Sequence, residues 1–124
     1  MKQLDYQIVV IGAGPAGLAA SISAIKNGID KVLVVDREDF PGGILNQCIH
    51  TGFGIHKFSE ELTGPEYAER YNQMAVQSGV EMLLNSCVID IIPGKHKIEL
   101  IVLSGEKGIL RLCSNAVILA MGCR

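Results

Sequence analysis

The stretch Ile8-Val9-Val10-Ile11-Gly12-Ala13-Gly14-Pro15-Ala16-Gly17-Leu18-Ala19-Ala20 decides the fold. The four β-branched residues read as a buried strand, the glycines as a turn, and the run from Pro15 as a helix. In this pattern Gly12 permits the tight turn, Gly14 lets backbone approach a pyrophosphate, and Gly17 lets the helix pack close to the strand. Pro15 suits the first helical position, where no N–H is needed. The helix N-terminus offers N–H groups and partial positive charge to phosphate oxygens. A second apolar run, Val32-Leu33-Val34-Val35, leads to Asp36, 19 residues after Gly17. A carboxylate at that distance can accept hydrogen bonds from a ribose. A glycine-rich turn alone is weak evidence and can merely join a strand to a helix. The strand before it, the helix after it and the acid beyond make it a dinucleotide cradle.

Outward from this core, strand one is expected over Tyr6 to Ile11 and the first helix over Pro15 to Asn27, with Gly28 as its stop. Leu18, Ile22 and Ile25 recur at helical spacing and should pack on the sheet. Strand two, Lys31 to Val35, is apolar without alternation, as in a parallel sheet covered on both faces. From Phe40 to Gly64 there is little periodicity, and such a long irregular segment is usually functional or mobile. Ser59 to Leu62 could make a helical turn. A helix is expected from Pro65 to Ser78, with Glu66 complementing its positive end, an inward face of Tyr67, Tyr71, Met74 and Ala75, and Gly79 ending it. Val80 to Leu84 reads as strand three.

The next runs, Val88 to Ile92, Ile98 to Leu103 and Ile109 to Cys113, are short and joined by turn residues, so they read as an antiparallel meander. Ala116 to Ala120 should return as a separate strand to the parallel sheet. Cys87 and Cys113 fall in strand-like runs and are expected to be small buried hydrophobes.

Composition narrows the function. The 124 residues make about one small domain, and 48% hydrophobic content is enough to bury a core. A net charge of −2 and a pI near 5.9 give no basic footprint for nucleic acid. No apolar run approaches the roughly 20 residues of a membrane-spanning helix. The N-terminus lacks the pattern of a secretory signal, so a cytoplasmic protein with reduced thiols is expected. None of the cysteines, at positions 48, 87, 113 and 123, makes a Cys-x-x-Cys pair, and no metal site is expected.

The order of these pieces resembles the FAD domain of the two-dinucleotide-binding flavoproteins, the pyridine nucleotide-disulfide oxidoreductase superfamily. The residues that carry the likeness are the cradle, the acid-tipped second strand, Gly42-Gly43, the meander, and the ending Ala120-Met121-Gly122. That family usually ends this strand in Ala-Thr-Gly, so Met121 removes a hydroxyl. The segments Gly42 to Gly54 and Glu61 to Tyr67 look like a bacterial branch related to amino-acid or opine oxidase subunits and to glycerol-3-phosphate dehydrogenase-associated flavoproteins.

The resemblance implies an α/β fold: a Rossmann-like FAD/NAD(P)-binding domain, its parallel sheet crossed by a three-stranded antiparallel β-meander. Residues 1–124 would be the N-terminal part of the FAD domain, with its remainder and the NAD(P)H domain beyond Arg124. Gly12, Gly14, Pro15, Ala16 and Gly17 would cradle the FAD pyrophosphate. Asp36 would hold the adenosine ribose, with Arg37 beside the adenine and Val88 offering backbone to its edge. Gly43 and Ile44 would approach the ribityl–flavin side, and Ala120 and Gly122 the far side of the cofactor.

Catalytic residues are not identified by this likeness; Cys48 and His50 are the weak candidates. Disulfide reductases of the superfamily carry two cysteines after the Gly-Gly turn, and here Cys48 stands without a local partner. It reads as a packed or flavin-adjacent, non-redox thiol, with a disulfide-exchanging cysteine and a lone reactive thiolate as the alternatives. His50 and His56 read as loop histidines bonded to backbone, with proton donation to flavin or substrate as the alternative.

The function implied is hydride transfer between flavin and a nicotinamide or organic substrate, with NAD(P)H as co-substrate and a partner flavoprotein or iron–sulfur subunit as a possible associate. Two other readings stay open. One is a dinucleotide-binding module or subunit without chemistry. The other is an NAD-binding dehydrogenase domain, which predicts helices between Cys87 and Cys113.

Overall fold

The computed structural model describes residues 1–47 and 62–122. The order of elements is β1 (Lys2–Ile11), α1 (Pro15–Lys26), β2 (Val32–Val35), a 3-10 turn (Gly43–Gln47), α2 (Gly64–Ser78), β3 (Glu81–Leu83), β4 (Ser86–Pro93), β5 (Ile98–Ser104) and β6 (Gly108–Leu119). Most of the turn expected at Ser59 to Leu62 lies outside the described residues.

The strands form one sheet in the order β3-β2-β1-β6-β5-β4. β1 runs parallel to both β2 and β6, and β2 parallel to β3. β4, β5 and β6 are antiparallel neighbours. The NAD-domain alternative required helices between Cys87 and Cys113; strands occupy that span.

Two apolar clusters show how the sheet is layered. Val10, Val32 and Val34 pack with Leu18 and Ile22 of α1 and Ala75 of α2. On the opposite face Val9, Ile11, Leu33, Val35 and Leu83 pack with Leu100, Val102, Leu110 and Leu112 of the meander. The parallel strands are therefore the middle layer, with helices on one face and meander on the other. This explains β2: Val32 and Val34 point to the helices, Leu33 and Val35 to the meander, and all four are buried. Burying a side chain such as Leu18 contributes about 1.5–3 kcal/mol.

Helix boundaries follow local chemistry. Asn27 caps α1, and Gly28 beyond it takes φ +95. Thr63 and Glu66 form a capping box on α2: the Thr63 N–H donates to Glu66 Oε1 at 3.0 Å, and the Glu66 N–H to Thr63 Oγ1 at 3.4 Å. The carboxyl of Glu66 is held below its ordinary range first by the Thr63 backbone N–H, then by the Thr63 side chain and Arg70.

Three expectations need correction. The runs Ile109 to Cys113 and Ala116 to Ala120 are parts of a single strand, β6. Its first half pairs with β5, and it runs on beside β1 as far as Leu119. Ser114-Asn115 looks like a break, but the Ser114 hydroxyl has acceptors within the sheet, Ala116 O at 2.7 Å and Gln7 O at 3.3 Å. β1 begins at Lys2, four residues earlier than Tyr6, because β6 offers it a partner from Leu110 onward. Cys87 is exposed and Cys113 half-buried. Register places Cys87 in a row with Leu103 and Ile109 on the outer face of the meander, away from both cores.

Candidate functional site

Strand order reverses around β1, with β2 on one side and β6 on the other. Open α/β sheets bind ligands at such a switch point, outside the carboxyl ends of the strands. A cleft of about 720 Å³ lies there, within the range of about 300–1,000 Å³ usual for ligand pockets. Ile11 ends β1 and Gly12 follows it, Val35 ends β2 with Asp36 and Arg37 after it, and Val88 comes from β4; all line it. Met121 and Gly122 line it from the segment after β6.

The glycine loop is fastened at each strand end. The Gly12 N–H donates to Val35 O at 2.8 Å, and the Ala120 N–H to Ile11 O at 2.8 Å. Ala13 is wholly buried, its N–H donating to Asp36 Oδ2 at 2.7 Å and its carbonyl accepting from the Gly42 N–H at 2.6 Å. The other Asp36 oxygen accepts from the Glu38 N–H at 2.8 Å.

The three cradle glycines divide by what their missing side chains would meet. A Cβ on Gly12, which has φ +115, would collide with the Ala120 carbonyl; one on Gly17 would collide with the Gly12 carbonyl. These two serve the protein's own backbone. A Cβ on Gly14 would meet only Gly43 Cα, at 4.0 Å. The space above Gly14 is open, and it adjoins the first turn of α1. There Pro15 has no N–H, and those of Ala16 and Gly17 precede the helical hydrogen-bond ladder. Gly14 is the N-cap, and no side-chain cap takes up these donors. This is the donor set and the clearance that a pyrophosphate requires.

The structure gathers most of the expected residues. Gly12, Asp36, Arg37, Val88 and Gly122 share the cleft, and Gly14, Pro15, Ala16 and Gly17 form the adjoining loop and helix start. Gly43 opens the 3-10 turn that also contains Ile44, and its Cα lies against Gly14. Ala120 fastens the loop through its N–H. Cys48, His50 and His56 lie outside the described residues. Sequence reasoning missed the clamping of Ala13, because its hydrogen bonds to Asp36 and from the Gly42 N–H depend on tertiary approach. It also missed Leu119 and Ile89 in the cleft wall, since nothing in an exposed apolar residue signals a ligand. Among the described residues, no helix is long and apolar enough to cross a membrane.

Comparison with known proteins agrees with this geometry. The family model for pyridine nucleotide-disulphide oxidoreductase matches residues 6–124. A thioredoxin reductase of Ureaplasma parvum is 33% identical over 98% of this chain and 36% of its own length. The small chain of the NADPH glutamate synthase of Escherichia coli is 36% identical over 69% of this chain and 16% of its own. The chain thus spans about a third of the length of the thioredoxin reductases it matches. L-proline dehydrogenase from P. horikoshii superposes with a TM-score of 0.83 at 17% identity, over 98% of this chain and 23% of that one, a likeness of fold. With the family model matched from Tyr6 to the last residue, the chain belongs to the pyridine nucleotide-disulphide oxidoreductase family.

Proposed function

We propose that this chain is the N-terminal part of an FAD-binding domain, holding the adenosine and pyrophosphate of the cofactor for a flavin-dependent oxidoreductase. Gly14 carries the reading. Gly12 and Gly17 are required by the fold itself, whereas the clearance over Gly14 has no occupant within the described chain. When bound, FAD supplies hydride chemistry between flavin and a nicotinamide or organic substrate, with NAD(P)H as co-substrate. The chain's own residues bind and orient: Ala16 and Gly17 N–H groups toward phosphate, Asp36 toward the ribose, Arg37 and Val88 toward the adenine. Gly43, Ile44, Ala120 and Gly122 belong to the flavin-facing side.

The same proposal extends to a small-molecule substrate, a cytoplasmic setting and association with a partner flavoprotein or iron–sulfur subunit. The likeness to a glutamate synthase small chain supports a subunit role. The branch related to amino-acid or opine oxidase subunits and glycerol-3-phosphate dehydrogenase-associated flavoproteins rests on the sequence around Gly42 to Gly54. A role for Cys48 or His50 in catalysis rests on sequence alone.

The test is titration of the chain with FAD and with NAD, followed by flavin fluorescence and heat, beside a Gly14→Val variant. FAD should be preferred, and Gly14→Val should keep the parent's circular dichroism while losing FAD. Equal FAD binding by parent and variant would remove the cradle assignment, and preference for NAD would overturn the choice of FAD as the cofactor.

A further inference from the structure

We propose that Asp36 is a positioning residue, a clasp that sets the glycine loop in its ligand-ready shape before any dinucleotide arrives. The adenosine end and the pyrophosphate end of the site are thereby coupled through one side chain. The coupling to ribose rests on the reading above; the clasp itself does not.

Asp36 is 6% exposed although it carries a charge. A buried carboxylate needs charge-assisted partners. Here they are backbone N–H groups from two different segments: Ala13 in the glycine loop at 2.7 Å, and Glu38 beyond β2 at 2.8 Å. Ala13 lies 23 residues away in sequence, between Gly12 and Gly14. Its N–H falls after the last parallel pair of β1, Ile11 with Val35, and before the helix. Neither ladder can satisfy it, and the Asp36 carboxylate does. The Gly42 N–H holds the Ala13 carbonyl from the other side. A loop held in this way does not have to be ordered by its ligand, so affinity is not diminished by that ordering entropy.

A carboxylate that only received ribose hydroxyls would leave Ala13 untouched. Asparagine at this position keeps one oxygen acceptor and turns an N–H₂ group toward the other backbone donor, so one of the two bonds is lost.

The experiment compares the parent chain with Asp36→Asn and Asp36→Ala in two measurements. Amide exchange is read in the cofactor-free chain at Ala13 and Glu38, with Val9 and Val10 as internal references. Affinity is read by calorimetry for ADP and for 2′,3′-dideoxy-ADP, which lacks both ribose hydroxyls. We expect Asp36→Ala, which leaves neither acceptor, to speed exchange at Ala13 by about tenfold with Val9 and Val10 unchanged, and to weaken dideoxy-ADP by about tenfold; Asp36→Asn should speed exchange at whichever of Ala13 and Glu38 loses its acceptor. Unchanged exchange at Ala13 in Asp36→Ala, or at both Ala13 and Glu38 in Asp36→Asn, overturns the clasp. So does dideoxy-ADP binding equally to parent and Asp36→Ala while ADP weakens, which would leave Asp36 as a ribose ligand only. Where Asp36→Ala does not fold, Asp36→Asn carries the comparison. Where neither nucleotide binds the parent, the proposed function fails and exchange at Ala13 decides the clasp by itself.

Discussion

Strands β2 and β4 both carry branched apolar residues, though β4 adds Ser86, Asp90 and Pro93, and the protein treats those apolar residues oppositely. Val32–Val35 of β2 are all buried, whereas Ile89, Ile91 and Ile92 of β4 are 56%, 39% and 43% exposed. β2 lies in the middle layer, between helices and meander. β4 is an edge strand of the outer layer, with a register irregularity between Val88 and Asp90. Residue type selects a strand; the layer it enters selects how much of it is covered. The same contrast has a functional side. The carboxyl ends of the middle strands carry the glycine loop and Asp36, while β4 contributes Val88 and its neighbours as one wall of the cleft.

The strongest test of this contrast is Gly12→Val at the end of β1. A branched side chain at φ +115 would overlap the Ala120 carbonyl, where the middle strands converge. We expect a loss of more than about 4–5 kcal/mol, enough to unfold a small domain, seen as an absent thermal transition. A folded variant would mean that the middle layer does not depend on this close approach.

Leu18→Ala and Leu112→Ala probe the two cores on opposite faces of the middle layer, and both side chains are fully buried. Each should cost about 2–5 kcal/mol in urea unfolding. A small loss for Leu112→Ala alone would show that the meander does not cover the sheet. Ile92→Ala on the outer strand should change stability by no more than about 0.5 kcal/mol; a larger loss would place Ile92 in a core and erase the contrast with β2.

The smallest effect belongs to Glu66 at the start of α2. Its carboxyl is held below the ordinary value of 4.5, chiefly by the Thr63 backbone N–H. A lowered carboxyl pKa contributes stability above the ordinary value, and that contribution is lost as pH falls through the lower folded-state value. Glu66→Gln should therefore melt slightly below the parent at neutral pH, and the gap should close below about pH 4.5. A gap that persists in acid would assign the effect to something other than the charge.

Much of this was legible in the residues themselves, and the reason is local. The glycine loop, the helix from Pro15, the stop at Gly28 and the helix ending at Gly79 depend on backbone freedom and capping within a few residues. The all-apolar Val32–Val35 announced burial on both faces because it has no alternating polar residue to form a solvated face. Tertiary structure alone decided the rest. β6 is one strand because β1 and β5 pair along its two sides and the sheet accommodates Ser114. Cys87 is exposed because register, which no residue type encodes, turns it outward beside Leu103. Gly12, Gly14 and Gly17 look alike in sequence; only folding brings carbonyls against two of them and leaves the third open. Asp36 could be read as a ribose ligand from its spacing. Its grip on Ala13 exists only where the ends of β1 and β2 lie side by side, because a hydrogen bond across 23 residues is made by the fold and not by the segment.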